Sequence, residues 1–205
     1  LHVRSRRQRQ MCIRDRAHIV YDNHIEQLFA SGQNYLYVDV GGGSTEINLI
    51  CDAELKSSRS YNIGTVRMLS GMVKNEEKEQ MRSDLQALAA EYSSIQIIGS
   101  GGNINKLFRL ADKKDKKQSF LPVESLQEIC ETLKPLSKEE RIKQFKLKPD
   151  RADVIVPAAE IFLEVAKQVN ATGITVPTIG LSDGIIDSLY TCLLYTSDAA
   201  DDSLR

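Results

Sequence analysis

The segment Asp39-Val-Gly-Gly-Gly-Ser-Thr-Glu46 constrains the fold of this chain more than any other, because it joins two apolar stretches rich in Val and Ile. Such stretches favour extended structure, and the consecutive glycines between them predict a tight turn between two strands. Glycine lacks a Cβ, so the main chain of Gly41–Gly43 can approach a bulky anion closely. Successive N–H groups in such a turn form a concave site for phosphate.

The residues that flank the glycines make this turn more specific than a plain β-hairpin, which is what three glycines alone would indicate. Ser44 and Thr45 add hydroxyl donors. Asp39 and Glu46 place one carboxylate on each side, and Mg²⁺ is commonly held by one or two carboxylates together with substrate phosphates. The octapeptide therefore predicts a site for phosphate and magnesium.

A second glycine turn lies at residues 99–102, between an apolar stretch that begins at Ile95 and an amphipathic segment that ends at Leu110. The later segment has the apolar spacing of a helix, and Asn103 is its expected N-cap. A strand–glycine–helix junction presents free N–H groups to an anion. This turn alone is as consistent with packing as with binding, but its pairing with the first turn favours Gly101 and Gly102 as phosphate ligands.

The rest of the chain alternates strand and helix patterns, which predict an α/β fold with a mixed sheet covered by helices. Strands are expected at 35–40, 45–51, 56–63, 95–98 and 173–179, the first three as an antiparallel meander. Helices are expected at 17–31, 66–73, 76–92, 104–110, 123–133, 138–145, 158–169 and 184–190. Asp150 or Asp153 is the expected cap of the helix at 158–169, and Pro157 suits its first turn.

With both turns in view, the sequence resembles the exopolyphosphatase / guanosine pentaphosphate phosphohydrolase (Ppx/GppA) family. The resemblance runs in order from about Ala17 to Thr191 and implies an actin-like, ribonuclease-H-like half-domain. It is carried by five segments: 39–46, 63–69, 99–103, 151–158 and 179–185.

The resemblance implies release of a terminal phosphate from polyphosphate or guanosine pentaphosphate, by Mg²⁺-assisted attack of water. Asp39 and Glu46 would be the catalytic and metal-binding residues, and the family resemblance also suggests a homodimer. The phosphate would be held by Gly41, Gly42, Gly43, Ser44, Thr45, Gly101 and Gly102.

Two elements of the family pattern are not found in this sequence. They are the first phosphate loop and the general-base Glu, whose expected place directly before Ala17 is occupied by Met11–Arg16. Loss of a general base costs about 10²–10⁴-fold in rate. We therefore expect an N-terminally truncated chain that is inactive by itself.

The two ends of the chain are expected to be foreign to the domain. Met11–Arg16 and Cys192–Thr196 can be encoded by opposite strands of one oligonucleotide, so both ends resemble a translated sequencing adapter. We exclude residues 1–16 and 192–205 from fold reasoning and assign 17–191 to the second half of the exopolyphosphatase core domain.

Composition then excludes several other classes of function. The interior is mildly acidic, which argues against binding to nucleic acid or an anionic membrane. Cys51 and Cys130 remain without a Cys-x-x-Cys pattern, which argues against zinc and disulfides. No apolar run approaches the roughly 20 residues of a membrane span, and no signal peptide is recognisable. These features predict a cytoplasmic location.

The remaining candidate residues have simpler structural explanations than a role in binding or catalysis. Arg67 could reach phosphate or form a structural salt bridge, and Asp183 most simply caps the last helix. His18 and His24 are expected on a polar helix face, where neither makes a credible base.

Three alternative functions stay open at this point. An actin-like ATPase or sugar-kinase half would bind adenine nucleotide. A non-catalytic module would bind polyphosphate or nucleotide without turnover. An unstable piece of a reading frame would show weak protection in hydrogen exchange.

Overall fold

A mixed sheet of six strands organises the computed structural model, which describes residues 32–52 and 54–177 of the 205 in the chain. The order across the sheet is β3-β2-β1-β4-β6-β5. The strands are β1 Asn34–Val40, β2 Thr45–Cys51, β3 Glu54–Tyr61, β4 Ile95–Ser100, β5 Phe120–Pro122 and β6 Gly173–Thr175.

The first three strands form the predicted antiparallel meander, and the other half of the sheet is built onto β1. β1 pairs with β2 so that Asp39 lies opposite Glu46 and Val40 opposite Thr45. β4 runs parallel to β1, with Asp39 opposite Ser100. Because parallel strands end at the same edge, the turn after β1 and the turn after β4 lie side by side.

Seven helices are found in the described part of the chain. They are α1 Thr65–Leu69, α2 Asn75–Glu91, α3 Gly102–Leu110, α4 Val123–Leu133, α5 Lys138–Phe145, α6 Pro149–Ala152 and α7 Ile155–Gln168. The central one is α7, whose residues Ile155–Phe162 are almost all buried and which contacts α1, α2, α3 and α4. None of these helices is long and apolar enough to cross a lipid bilayer.

Both faces of β1 are buried, which explains its nearly continuous apolar sequence. Leu36, Val38 and Val40 belong to the main hydrophobic core. Tyr35 and Tyr37 alternate with them and are also buried. Since successive side chains of a strand point to opposite faces, Asp39 lies on the face of the two tyrosines.

The element predictions agree with the structure to within a few residues, with two omissions and two wrong caps. The short β5 and α6 were not predicted. The N-cap of α3 is Gly101, at φ +106°, and Asn103 is a buried residue inside the helix. The N-cap of α7 is Val154, and the carboxylate of Asp153 instead pairs with Lys138. The helices predicted at 17–31 and 184–190 and the foreign ends lie outside the described residues.

The carboxylate of Asp84 joins α2 to the outer strand of the meander. It accepts a hydrogen bond from the Tyr61 hydroxyl at 2.9 Å and pairs with Arg59 at 2.5 Å. Burial works to raise the pKa of Asp84, but the bonds from Tyr61, Gln80 and Arg59 outweigh it and hold the pKa below its usual value. Its contribution to stability is therefore complete above the ordinary Asp pKa and is lost as pH falls through the lowered one.

We expect Asp84→Asn to lower the free energy of unfolding by about 1–3 kcal/mol at pH 7, because hydrogen bonds to a charge are weakened. Denaturant titration at several pH values measures this difference, which should shrink as the solution is acidified below about pH 4. Glu79→Gln is the matched control on the same helix, since the Glu79–Arg82 pair is exposed. An equal loss in the two variants would contradict this role of Asp84.

Candidate functional site

The turn between β1 and β2 leaves two of its glycine amides without a backbone partner. The Gly41 N–H donates to the Ser44 carbonyl oxygen at 2.9 Å and closes the turn. Within residues 32–52 and 54–177, no backbone carbonyl accepts the N–H groups of Gly42 and Gly43. Gly41 is therefore not an amide donor to an anion as predicted, whereas the amides of Gly42 and Gly43 are available for that role.

The orientation of these two amides is set by α1. The carbonyl oxygen of Gly41 accepts the Thr65 N–H at 3.0 Å, and that of Gly42 accepts the Val66 N–H at 2.9 Å. In a planar trans peptide the N–H points opposite to the C=O. The Gly42 and Gly43 amides therefore both point away from α1, in nearly the same direction.

Gly64 allows α1 to come this close to the turn. A Cβ at position 64 would lie 2.4 Å from the Gly42 carbonyl oxygen, a backbone atom that cannot move aside without moving the turn. The residue that precedes α1 must therefore be glycine for the contact to form.

The hydroxyl of Thr45 is not directed at a ligand. Thr45 is fully buried, and its Oγ1 donates to the Ile63 carbonyl oxygen at 2.6 Å. The prediction that this hydroxyl binds phosphate is therefore wrong, because the hydroxyl instead ties β2 to the segment before α1. Ser44 is partly exposed at the end of the turn, and its role stays a prediction.

Asp39 and Glu46 are directly opposite each other on β1 and β2, so their side chains share one face of the sheet. Tyr37 lies on the same face, and its pKa is raised to about 12, mainly by burial and further by the charges of Asp39 and Glu46. An interaction with the Ser100 side chain works in the opposite direction. The two carboxylates thus form a local negative field beside the turn.

The pair of carboxylates fits Mg²⁺ better than a metal that needs a full protein cage. In the described part of the chain, no group of three or more His, Cys, Asp or Glu side chains is arranged to hold a metal ion. Mg²⁺ usually keeps several waters and takes one or two carboxylates plus substrate phosphates. Asp39 and Glu46 would supply these two carboxylates from one face of the sheet.

The second glycine turn meets the first through the side chain of Asp39. A Cβ on Gly101 would lie 3.2 Å from Asp39 Oδ1, and the positive φ of Gly101 also disfavours a side chain there. The two glycine turns therefore lie together at this edge of the sheet. Gly99 of the same turn faces Ile174, Ile104 and Phe162 instead and serves packing.

A cavity of about 270 Å³ lies between the two turns on the helical side of the sheet. Its lining includes Gly41, Gly42, Gly102, Asn103 and Arg151. Asp39 and Glu46 are on the other face of the sheet, so the turn separates the carboxylates from this cavity.

Arg151 is a site residue that the sequence patterns did not single out. Its Nη1 donates to Asn103 Oδ1 at 3.0 Å, and its guanidinium lies so close to Gly102 that a Cβ there would be 2.5 Å from Nη2. The available signal was its position at the start of segment 151–158. Only the fold brings that segment to the glycine turn.

The described structure is thus an α/β half-domain of the actin-like type with two glycine turns and a pair of carboxylates at one edge. The family model for the Ppx/GppA phosphatase family matches residues 15–192, and the chain belongs to that family. This membership confirms the predicted family and the predicted fold class.

Individual relatives support the same conclusion. The chain is 26% identical over 198 residues to Exopolyphosphatase 2 of Mycobacterium tuberculosis, covering 85% of this chain and 61% of the relative. Among solved structures, the type II variant of the Aquifex aeolicus Ppx/GppA phosphatase has a TM-score of 0.63 at 25% identity, covering 82% of this chain and 60% of the other. An exopolyphosphatase from Cytophaga hutchinsonii gives 0.61 at 24%, covering 78% and 57%, and supports the fold alone. The chain thus spans about three fifths of the length of these proteins.

We expect Gly64→Ala to lower the free energy of unfolding by about 1–3 kcal/mol, as for other overpacked sites, and to displace the turn. Gly43→Ala is the matched control. The nearest atom to its new Cβ would be Arg67 Nε at 4.0 Å, so the unfolding free energy should change by less than about 0.5 kcal/mol. Thermal denaturation of both variants checks the difference, and equal stability would show that the close contact at Gly64 is not required.

Proposed function

We propose that this chain carries a phosphohydrolase site that binds the terminal phosphate of a phosphoanhydride chain, with inorganic polyphosphate as the favoured substrate and guanosine pentaphosphate as the other member of the class. The observation that carries the proposal is the pair of parallel amides at Gly42 and Gly43, with Asp39 and Glu46 beside them. The similarity to an exopolyphosphatase, at 26% identity, supports the substrate class.

The glycine turn supplies the binding part of the mechanism. Each amide hydrogen bond to a charged phosphate oxygen contributes about 1.5–3 kcal/mol. The Gly42 and Gly43 amides do not reorient when the ligand arrives, because the carbonyls of the same peptides are held by α1. The guanidinium of Arg151 in the adjacent cavity would attract the remaining negative charge of the chain.

Asp39 and Glu46 would hold Mg²⁺, which when bound neutralises phosphate charge and makes a water molecule a stronger nucleophile. The same carboxylates can accept hydrogen bonds from the attacking water and orient it. Water forms the new P–O bond while the anhydride P–O bond breaks. The shortened chain leaves with the electron pair and takes up one proton of the water, and the other proton stays on the released phosphate. Positioning and charge neutralisation do most of the work in such a transfer.

The cavity beside the turn favours inorganic phosphate chains over a nucleoside. The described residues that line it are three valines, three glycines, Thr65, Asn103, Asp150 and Arg151, and none of them carries an aromatic ring on which a base could stack. Guanidinium and amide donors match phosphate oxygens. A nucleotide would therefore gain little from its base at this position.

The first test is whether binding of a phosphate chain depends on Mg²⁺ through Asp39. Isothermal titration calorimetry of the full chain with tripolyphosphate should show tighter binding when Mg²⁺ is present. Asp39→Asn should reduce that gain by about tenfold or more, since one anionic ligand is lost. Asp112→Asn, in an exposed loop, is the matched control and should retain the gain. Absence of a Mg²⁺ effect in the wild-type chain would contradict the proposed metal role.

We further propose that the 205-residue chain binds phosphate chains but turns them over slowly. The position of the expected general base is occupied by Met11–Arg16, and loss of such a base costs about 10²–10⁴-fold. Phosphate release from long-chain polyphosphate, assayed beside a full-length relative with Mg²⁺, measures the difference. A rate near that of the relative would overturn this proposal while leaving the binding site intact.

A further inference from the structure

A second arginine lies at the glycine turn, on α1 rather than α6. Arg67 Nε is buried and has no hydrogen-bond partner among the described residues. The ion pairs of those residues do not include Arg67. The structural salt bridge that the sequence left open is therefore not found there. A buried polar group without a partner calls for an explanation, and an absent ligand is one.

The position of Arg67 on α1 places its Nε beside Gly43 of the turn. Arg67 is the third residue of α1, and helical side chains lean toward the N-terminus of their helix. That end of α1 is the one capped by the Gly41 and Gly42 carbonyls. Nε of Arg67 lies 4.0 Å from where a Gly43 Cβ would be, so the side chain reaches the turn. The two Nη groups extend beyond Nε.

The acidic neighbour Glu77 does not supply the hydrogen-bond partner that Arg67 Nε lacks. The charge of Arg67 contributes only a small part of the lowering of the Glu77 pKa, which comes mainly from the Asn62 side chain and backbone. Both carboxylate oxygens of Glu77 accept from Asn62, at 2.9 Å and 3.1 Å. Glu77 is thus already satisfied, whereas Arg67 Nε is not.

Two guanidinium groups therefore stand at different points of one turn. Arg151 lies across the cavity from Gly42, and Arg67 lies beside Gly43. The two groups thus border the same turn at neighbouring residues, Gly42 and Gly43. Charge at two separate points suits a ligand with more than one phosphorus, since each planar fork pairs with the oxygens of a phosphoryl group.

We propose that Arg67 binds the phosphoryl group next to the terminal one, and so makes this site prefer linked phosphates to orthophosphate. This inference rests on the proposed function, because it assumes that the terminal phosphate occupies the Gly42 and Gly43 amides. Arg67 would hold the side of the anhydride that leaves when the bond breaks. The site would then recognise the phosphoanhydride linkage itself.

Calorimetry of the full chain with orthophosphate and with diphosphate, at equal Mg²⁺, tests this inference. The wild-type chain should bind diphosphate more tightly than orthophosphate. Arg67→Met should reduce that preference by about tenfold or more while orthophosphate affinity stays within about twofold, since one charged fork is lost. Arg67→Lys should restore only part of the preference, because a lysine lacks the fork.

Two controls separate binding from structure. Glu77→Gln alters the charged neighbour of Arg67 without touching the guanidinium and should leave the preference unchanged. Arg109→Met removes an exposed arginine at the other end of α3 and should also leave it unchanged. Thermal unfolding of each variant shows whether it is folded, and Arg67→Lys decides the question if Arg67→Met is unstable.

The outcomes distinguish this inference from the proposed function. A preference unchanged in Arg67→Met would overturn the role of Arg67 and leave the proposed function intact. An equal loss of affinity for orthophosphate and diphosphate would place Arg67 on the terminal phosphate and overturn its proposed role in the preference. Failure of the wild-type chain to bind either ligand would contradict the proposed function as well.

Discussion

The candidate site depends on the hydrogen bonds between the first residues of α1 and the carbonyls of Gly41 and Gly42. These bonds occupy one side of two successive peptides and so aim the N–H groups on the other side outward. A glycine turn without this support would have many accessible conformations, because glycine restricts the backbone least of all residues. The helix thus converts a flexible sequence into a preorganised pair of donors, and the absence of a Cβ at Gly64 permits it.

The edge of the sheet then brings together groups that are far apart in sequence. β1 and β4 run parallel, so their following turns meet, and the Asp39 carboxylate lies against Gly101. The antiparallel pairing of β1 with β2 places Glu46 beside Asp39. A one-residue change in either register would move these side chains to the opposite face. The chemistry of the site is therefore a consequence of strand register as much as of residue type.

The arrangement also separates charges of opposite sign. The carboxylates share the Tyr37 face of the sheet, whereas Arg151 lies in the cavity on the helical side and Arg67 beside the turn. With the turn between them, the proposed metal-bound phosphate chain would meet cations on one side and carboxylates on the other.

Local patterns in the sequence were sufficient to predict the meander, the longer helices and the turn at Asp39–Glu46, because alternating apolar residues and glycine act through backbone conformation within a few positions. They also predicted that Asp39 and Glu46 flank the site. The roles of Thr45, Asn103 and Arg151 required the tertiary structure, because Ile63, Arg151 and Gly102 become their neighbours only when distant segments pack. Hydrogen bonds between residues far apart in sequence produce no periodic pattern from which they could be predicted. The sequence by itself therefore determined the turn and its acids, and the packing of α1, α3 and α6 decided which donors face a ligand.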